Sequence, residues 1–298
     1  MTTLPERYAE VSEEILSDIF YLKGLSNRGR VTLIRQYTEI LCRILLKIND
    51  HFHLGKFNKR FDEKLPNAIL SDEIKNHIKN LVDLGNAATH LDTELKETIE
   101  DSDCESALNS LNFVISYLFI NYFSKYRFGS KPEAQSIISL LPPFIRVTIL
   151  ESLYKQDKSN IAVIDKLFLA ILKSEGEQIA LNWLKKEKSD LIYLKCVSGE
   201  ALEDLRKKGY SEKYIEQILK GGPDNMYVLC LEKLEELKQK YPGLIFPYYT
   251  FEKAKSTYLN EIGIYKLSCD KSIKELISLM DFVYVGRNIL EIVWGCPR

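Results

Sequence analysis

The sequence predicts an all-α fold in two parts, and three observations carry that reading. Apolar residues recur three and four positions apart in one segment after another, the period that gathers them on one face of a helix. Glycine (14) and proline (9), the residues that interrupt helices, are sparse. The chain has 298 residues, more than one core usually serves.

The first part reads as residues 1–127. Glu6 to Lys23 carries Val11, Ile15, Ile19 and Leu22 as an apolar stripe, and Gly24 is expected to end that helix. Asn27 is placed to cap a second helix, on which Val31, Ile34, Thr38, Leu41, Leu45 and Ile48 repeat. Phe52, Leu54, Phe57 and Phe61 are expected to pack across one end of the bundle. Ser71 is placed to cap the next helix, whose stripe includes Ile78, Leu81, Val82, Leu84 and Ala88. Asp103 is expected to cap another, over Ala107 to Tyr122. That helix is apolar almost all round and so belongs at the centre. Phe128 to Pro132 reads as a linker.

The second part, 133–298, reads as an irregular helical domain with a subdivision near 221–223, at Gly221-Gly222-Pro223. Pro143 suits a helix start. Paired helices follow over Ile145–Leu153 and Ile161–Ile171, then another over Gly176–Lys186. Short helices are expected at Glu200–Lys208 and Glu212–Leu219, with Asp224 or Asn225 capping a helix that runs to Lys240. Thr250 starts the next. The tail alternates weakly, Asp281-Phe282-Val283-Tyr284-Val285 and then Ile289 to Trp294, which predicts one small hairpin.

Composition narrows the function. Lys and Arg number 41 against 42 Asp and Glu, so the chain is not globally basic, which leaves room only for a local nucleic-acid patch. The six cysteines form no Cys-x-x-Cys pair, and the four histidines have no zinc spacing with them, so neither a metal nor a cofactor is expected. His51 and His53 declare no third ligand. No run is long and apolar enough to span a bilayer, and the amino terminus has no apolar signal region, so the expectation is a cytoplasmic protein without a membrane partner. No phosphate loop, Gly-x-Ser-x-Gly elbow or His-Glu-x-x-His occurs.

The most informative stretch is Asn76 to Asp92. Gly85 is costly inside a helix, by roughly 1 kcal/mol against alanine, and makes sense where a neighbour packs close or the helix bends. Asn86 and His90 lie four apart and would share a face. They form either a buried polar pair or a site. Charge is split around them. Lys23 to Arg60 holds nine basic and two acidic residues, whereas Asp83 to Glu105 holds eight acidic residues and one lysine. Arg28, Arg30, Arg35 and Lys79 are therefore the candidates for contact with nucleic acid or an acidic partner, beside the bland reading of a solvated face.

R-V-T-L-I-R-Q-Y-T-E-I-L-C-R-I-L-L at 30–46 and L-V-D-L-G-N-A-A-T-H-L-D at 81–92 together resemble the small helical domain often attached to type I restriction subunits, within the HEPN superfamily. The resemblance covers about residues 5–126 and centres on Gly85, Asn86 and His90, after the helix with Arg35 and Glu39. It implies a four-to-five-helix bundle, self-association, and a bacterial antiviral or restriction-type setting, in which a larger defence complex and RNA or DNA are candidate partners. Many members of the superfamily are metal-independent ribonucleases whose motif is an arginine, four to six residues, then a histidine, usually completed across a dimer. His90 fits the second position, but the first falls on Asp83, Leu84 or Gly85, none of them basic. Two readings follow. One is a non-catalytic assembly or interaction module. The other is a ribonuclease in which His90 and Asn86 act with Arg35 or Arg30 as catalytic candidates; a nucleic-acid-binding accessory subunit without catalysis is the further alternative.

Overall fold

A computed structural model describes residues 6–22, 24–48, 50–90, 98–197, 199–244 and 250–286. Among these the fold is all-α, with no strand. Contacts divide the chain into two compact units: Met1–Tyr126 together with Lys255–Arg298, and Arg127–Ala254. The first break along the chain falls between Tyr126 and Arg127. The chain from Lys255 onward, however, clusters with the first unit, not with the second as read from sequence. The Gly221–Pro223 break lies within the second unit.

In the first unit, α1 (Glu6–Tyr21), α2 (Asn27–Leu46), α3 (Phe57–Lys64), α4 (Ser71–Thr89) and α5 (Asp101–Lys125) follow one another. α2, α4 and α5 pack on each other, and α1 packs on α2. α5 is buried all round in its middle and second half, as its apolar composition there requires, with Leu111, Val114, Ile115, Phe119 and Ile120 fully enclosed, while its first turns are exposed at Ser102, Glu105 and Asn109. Phe52, Leu54, Phe57 and Phe61 close one end of the bundle, all buried.

At three helix starts the cap position lies upstream of the expected residue. Ser26, not Asn27, caps α2 and accepts from Gly29 N. Leu70, in left-handed backbone, precedes α4, so Ser71 is its first helical residue and Asp72 and Glu73 serve its positive end. Glu100 caps α5, and Asp103 completes a capping box by accepting from Glu100 N.

The second unit contains α6 (Pro132–Ile138), α7 (Pro143–Gln156), α8 (Ile161–Glu175), α9 (Glu177–Lys186), α10 (Lys188–Leu191), α11 (Gly199–Lys207), α12 (Glu212–Gly221) and α13 (Met226–Lys240). Pro143 opens α7, and α12 and α13 are capped by Ser211 and Asn225. α7 and α8 pair, α9 and α13 pack on α8, and α10 packs on α9 and α13. The expected linker is a packed turn: Phe128 is buried, and Asn160 Nδ2 donates to its carbonyl at 3.0 Å. Near its apolar centre, Glu187 accepts from Tyr154 Oη at 2.8 Å and Lys158 Nζ at 3.0 Å. Burial opposes its charge, but these donors hold the carboxyl below the usual carboxylate range.

The division between units falls within α14 (Phe251–Glu261), and a 3₁₀ segment, Ile262–Leu267, leads to α15 (Lys271–Val285). The hairpin expected at the tail is not formed over Asp281–Val285, which is helix; Ile289 to Trp294 lies outside the described residues. The reason is the longer pattern. Ile273, Leu276, Ile277, Met280, Val283 and Tyr284 repeat at helical spacing and are all buried, and Asp270 accepts from the N–H groups of Ser272 and Ile273. Five alternating residues cannot override that register. α15 packs on α1 and α5. Tyr37 of α2 donates to Phe282 O at 2.9 Å, and Tyr122 of α5 to Ser272 O at 3.0 Å.

Candidate functional site

The Gly85 motif is built on the last turn of α4, where it meets α2. A Cβ on Gly85 would lie 2.2 Å from Arg35 Cδ and 3.0 Å from Arg35 Cγ. The glycine is therefore needed for close approach, as expected, and what approaches is the aliphatic stem of Arg35. Arg28 reaches from about two turns earlier on α2. Its Nη1 donates to Ala87 O at 2.9 Å and Ala88 O at 2.8 Å, putting a guanidinium on the carbonyls that end α4. This satisfies orphan acceptors and complements the negative end of the helix dipole.

His90 leaves the helix. It is the C-cap residue, extended at φ −109°, and its backbone N–H donates to Asn86 O at 2.9 Å. Its side chain is exposed while Asn86 is half-buried, so the pair neither shares a helix face nor forms a buried hydrogen-bonded core. The i,i+4 rule fails here because α4 stops at Thr89. No hydrogen bond joins the His90 ring to Asn86 or Arg35 among the described residues. Arg30 lies near Cys104 and its Nε is buried without a hydrogen-bond partner, whereas Lys79 spends its charge on Asp83 at 2.8 Å. Burial raises the Cys104 thiol, Arg30 partly opposing, so Cys104 is held as a thiol.

Sequence reasoning missed a second arrangement, between α4 and α5. An open groove of about 470 Å³ is lined by Asn76, His77, Asn80, Ser102, Glu105 and Ser106, with Asn109 and Ser110 completing it. His77 stacks on Phe113, ring centroids 4.2 Å apart, and its Nδ1 is 3.1 Å from Ser110 Oγ. Asn80 Nδ2 donates to Ser110 Oγ at 2.9 Å and to Ser106 Oγ at 3.0 Å. Ser110 Oγ, with one proton and two lone pairs, thus accepts from Asn80 and shares a hydrogen bond with His77 Nδ1. Ser110 is 3% exposed, so this hydroxyl is a link between helices and not a nucleophile that a substrate reaches. The sequence signal was there to find: Ser102, Ser106 and Ser110 at four-residue spacing, facing Asn76 and Asn80, also four apart.

Burial lowers the His77 pKa from its ordinary 6.5, Glu73 opposing. The folded protein thus favours the neutral ring. The stability this gives is present above pH about 6.5 and is lost as pH falls from there toward the folded value, because the unfolded chain binds the proton first. We expect His77→Gln to flatten the fall in melting temperature between pH 7 and pH 5, measured by calorimetry. An unchanged slope would remove His77 from the account.

Among the described residues, no group of three or more His, Cys, Asp or Glu side chains is placed to hold a metal ion, and no helix is long and apolar enough to cross a membrane. Comparison with known protein families, curated proteins and solved structures finds no match.

Proposed function

We propose that the first unit is a HEPN-like helical module that works by assembly with a second copy of the chain, in a larger defence complex or alone, and not by cutting RNA. The observation that carries this reading is an exposed apolar pair on the 3₁₀ segment. Ile264 is 76% and Leu267 79% exposed, and residues three apart in a 3₁₀ helix lie on one edge. Leu259, just upstream on α14, is also half exposed. Apolar side chains set together in water favour a partner surface. The motif chemistry supports the same reading. Arg28 is committed to the α4 carbonyls and Arg35 lays its stem on Gly85, so two of the basic candidates hold the bundle together.

The test measures mass in solution and RNA cleavage on the same samples. Wild-type protein, Ile264→Glu/Leu267→Glu and His90→Ala are each incubated with a pool of labelled RNAs in EDTA. The expected result is a self-associating wild type, association weakened roughly tenfold or more by the two glutamates, and no cleavage that depends on His90. Cleavage by wild type that is lost in His90→Ala would establish a metal-independent ribonuclease instead. A wild type that stays monomeric would overturn the assembly reading.

A further inference from the structure

We propose that His51 and His53 form a two-imidazole chelate for a late first-row divalent cation with square-planar or tetragonal preference, copper(II) above all. The argument starts from the backbone. In an extended segment alternate residues face opposite ways. Here Phe52 and Leu54 point in, 2% and 1% exposed, so His51 and His53 both point out and are exposed. His53 is extended at φ −117°, ψ 140°.

The segment is held rigidly from beneath. Arg43, buried within α2, donates Nη1 to Asp50 O at 2.7 Å and Nη2 to Phe52 O at 2.9 Å. Its guanidinium also lies over the Phe52 ring, 5.6 Å from the centroid. Two carbonyls flanking His51 are thus fixed by one planar group, and the histidines project from a fixed base.

Their geometry then selects the ion. The two Nε2 atoms are 2.8 Å apart, with the ring planes at 84°. Two nitrogens about 2.0 Å from one metal are separated by about 2.8 Å when they subtend a right angle, and by about 3.3 Å at the tetrahedral angle. The observed spacing matches neighbouring corners of a square. Imidazole nitrogen suits copper(II) and nickel(II) in that geometry, and copper(II) binds most tightly in the divalent series. Without metal, one ring donates Nε2–H to the other. On binding, that ring carries its proton on Nδ1 instead, both Nε2 lone pairs go to the ion, and water fills the remaining positions. The Asp50 carboxylate beside them is engaged by Arg60 at 3.1 Å.

The test titrates copper(II) into the untagged full chain in competition with glycine, a weak chelator, and records the electron paramagnetic resonance spectrum. His51→Gln and His53→Gln are run in parallel. Both positions are exposed, and superimposable circular dichroism melts confirm that the variants fold. The second imidazole binds intramolecularly, so each single variant is expected to lose roughly tenfold or more in affinity. The wild-type spectrum is expected to show one ion with nitrogen splitting from two imidazoles. Copper(II) affinity unchanged by either substitution, or a spectrum without two imidazole nitrogens, would overturn the proposal.

Discussion

Gly286→Ala is expected to destabilise the first unit by about 3 kcal/mol, whereas Gly24→Ala costs about 1 kcal/mol. Both glycines have left-handed backbone, φ +76° at Gly286 and +83° at Gly24, so both carry the strain of placing a Cβ there. They differ in what a Cβ would meet. At Gly24 nothing lies within 4 Å. At Gly286 the Cβ would sit 2.6 Å from the Ser12 carbonyl carbon and 2.7 Å from Glu13 N, main-chain atoms of α1 that cannot swing aside. Gly286 also ends α15, its N–H donating to Phe282 O at 3.0 Å. Denaturant melts of the two variants test this directly. Equal losses would mean that the approach of α15 to α1 contributes no more than the turn itself.

Arg43→Ala should cost about as much, roughly 3 kcal/mol, because a charged donor is removed from one buried and one part-buried carbonyl. Arg43 is 5% exposed and also faces Glu39 at 3.5 Å. Arg43→Met separates the two contributions. The methionine keeps most of the apolar stem, so a loss close to that of alanine assigns the effect to the guanidinium, and a near-neutral result assigns it to packing. Arg43→Lys is expected to fall between, since an ammonium cannot span both carbonyls with one planar fork. A melting temperature lowered by several degrees in Arg43→Ala is the readable signal.

The helices themselves were legible in the sequence, because a helix is written in its own residues. The three-and-four spacing on α2 and the apolar belt of α5 are local facts that the structure repeats, and of the two cap candidates before α13 it takes Asn225. Gly85 was legible too, since a costly residue inside a strong pattern implies a close neighbour, although not that the neighbour is Arg35. The candidate site was less legible. Four-residue spacing joined Asn86 to His90 only while the helix was assumed to continue, and α4 ends between them.

What the sequence by itself determined is the all-α class and most of the helices, set by periodicity within a few residues; the hairpin expected where α15 forms, and Val11 and Leu22, exposed although they lie on the expected stripe of α1, mark where local pattern stops. The tertiary structure alone decided that the chain from Lys255 returns to the first unit, that Arg28 is used on the carbonyls of α4, and that His77, Asn80 and Ser110 meet across a groove. These are contacts between residues tens to hundreds of positions apart. An apolar stripe states that a face must be covered and is silent on which of several equally apolar faces covers it. That choice is made by shape and by the few buried polar groups, such as Tyr37 and Tyr122, that find a carbonyl only in one arrangement.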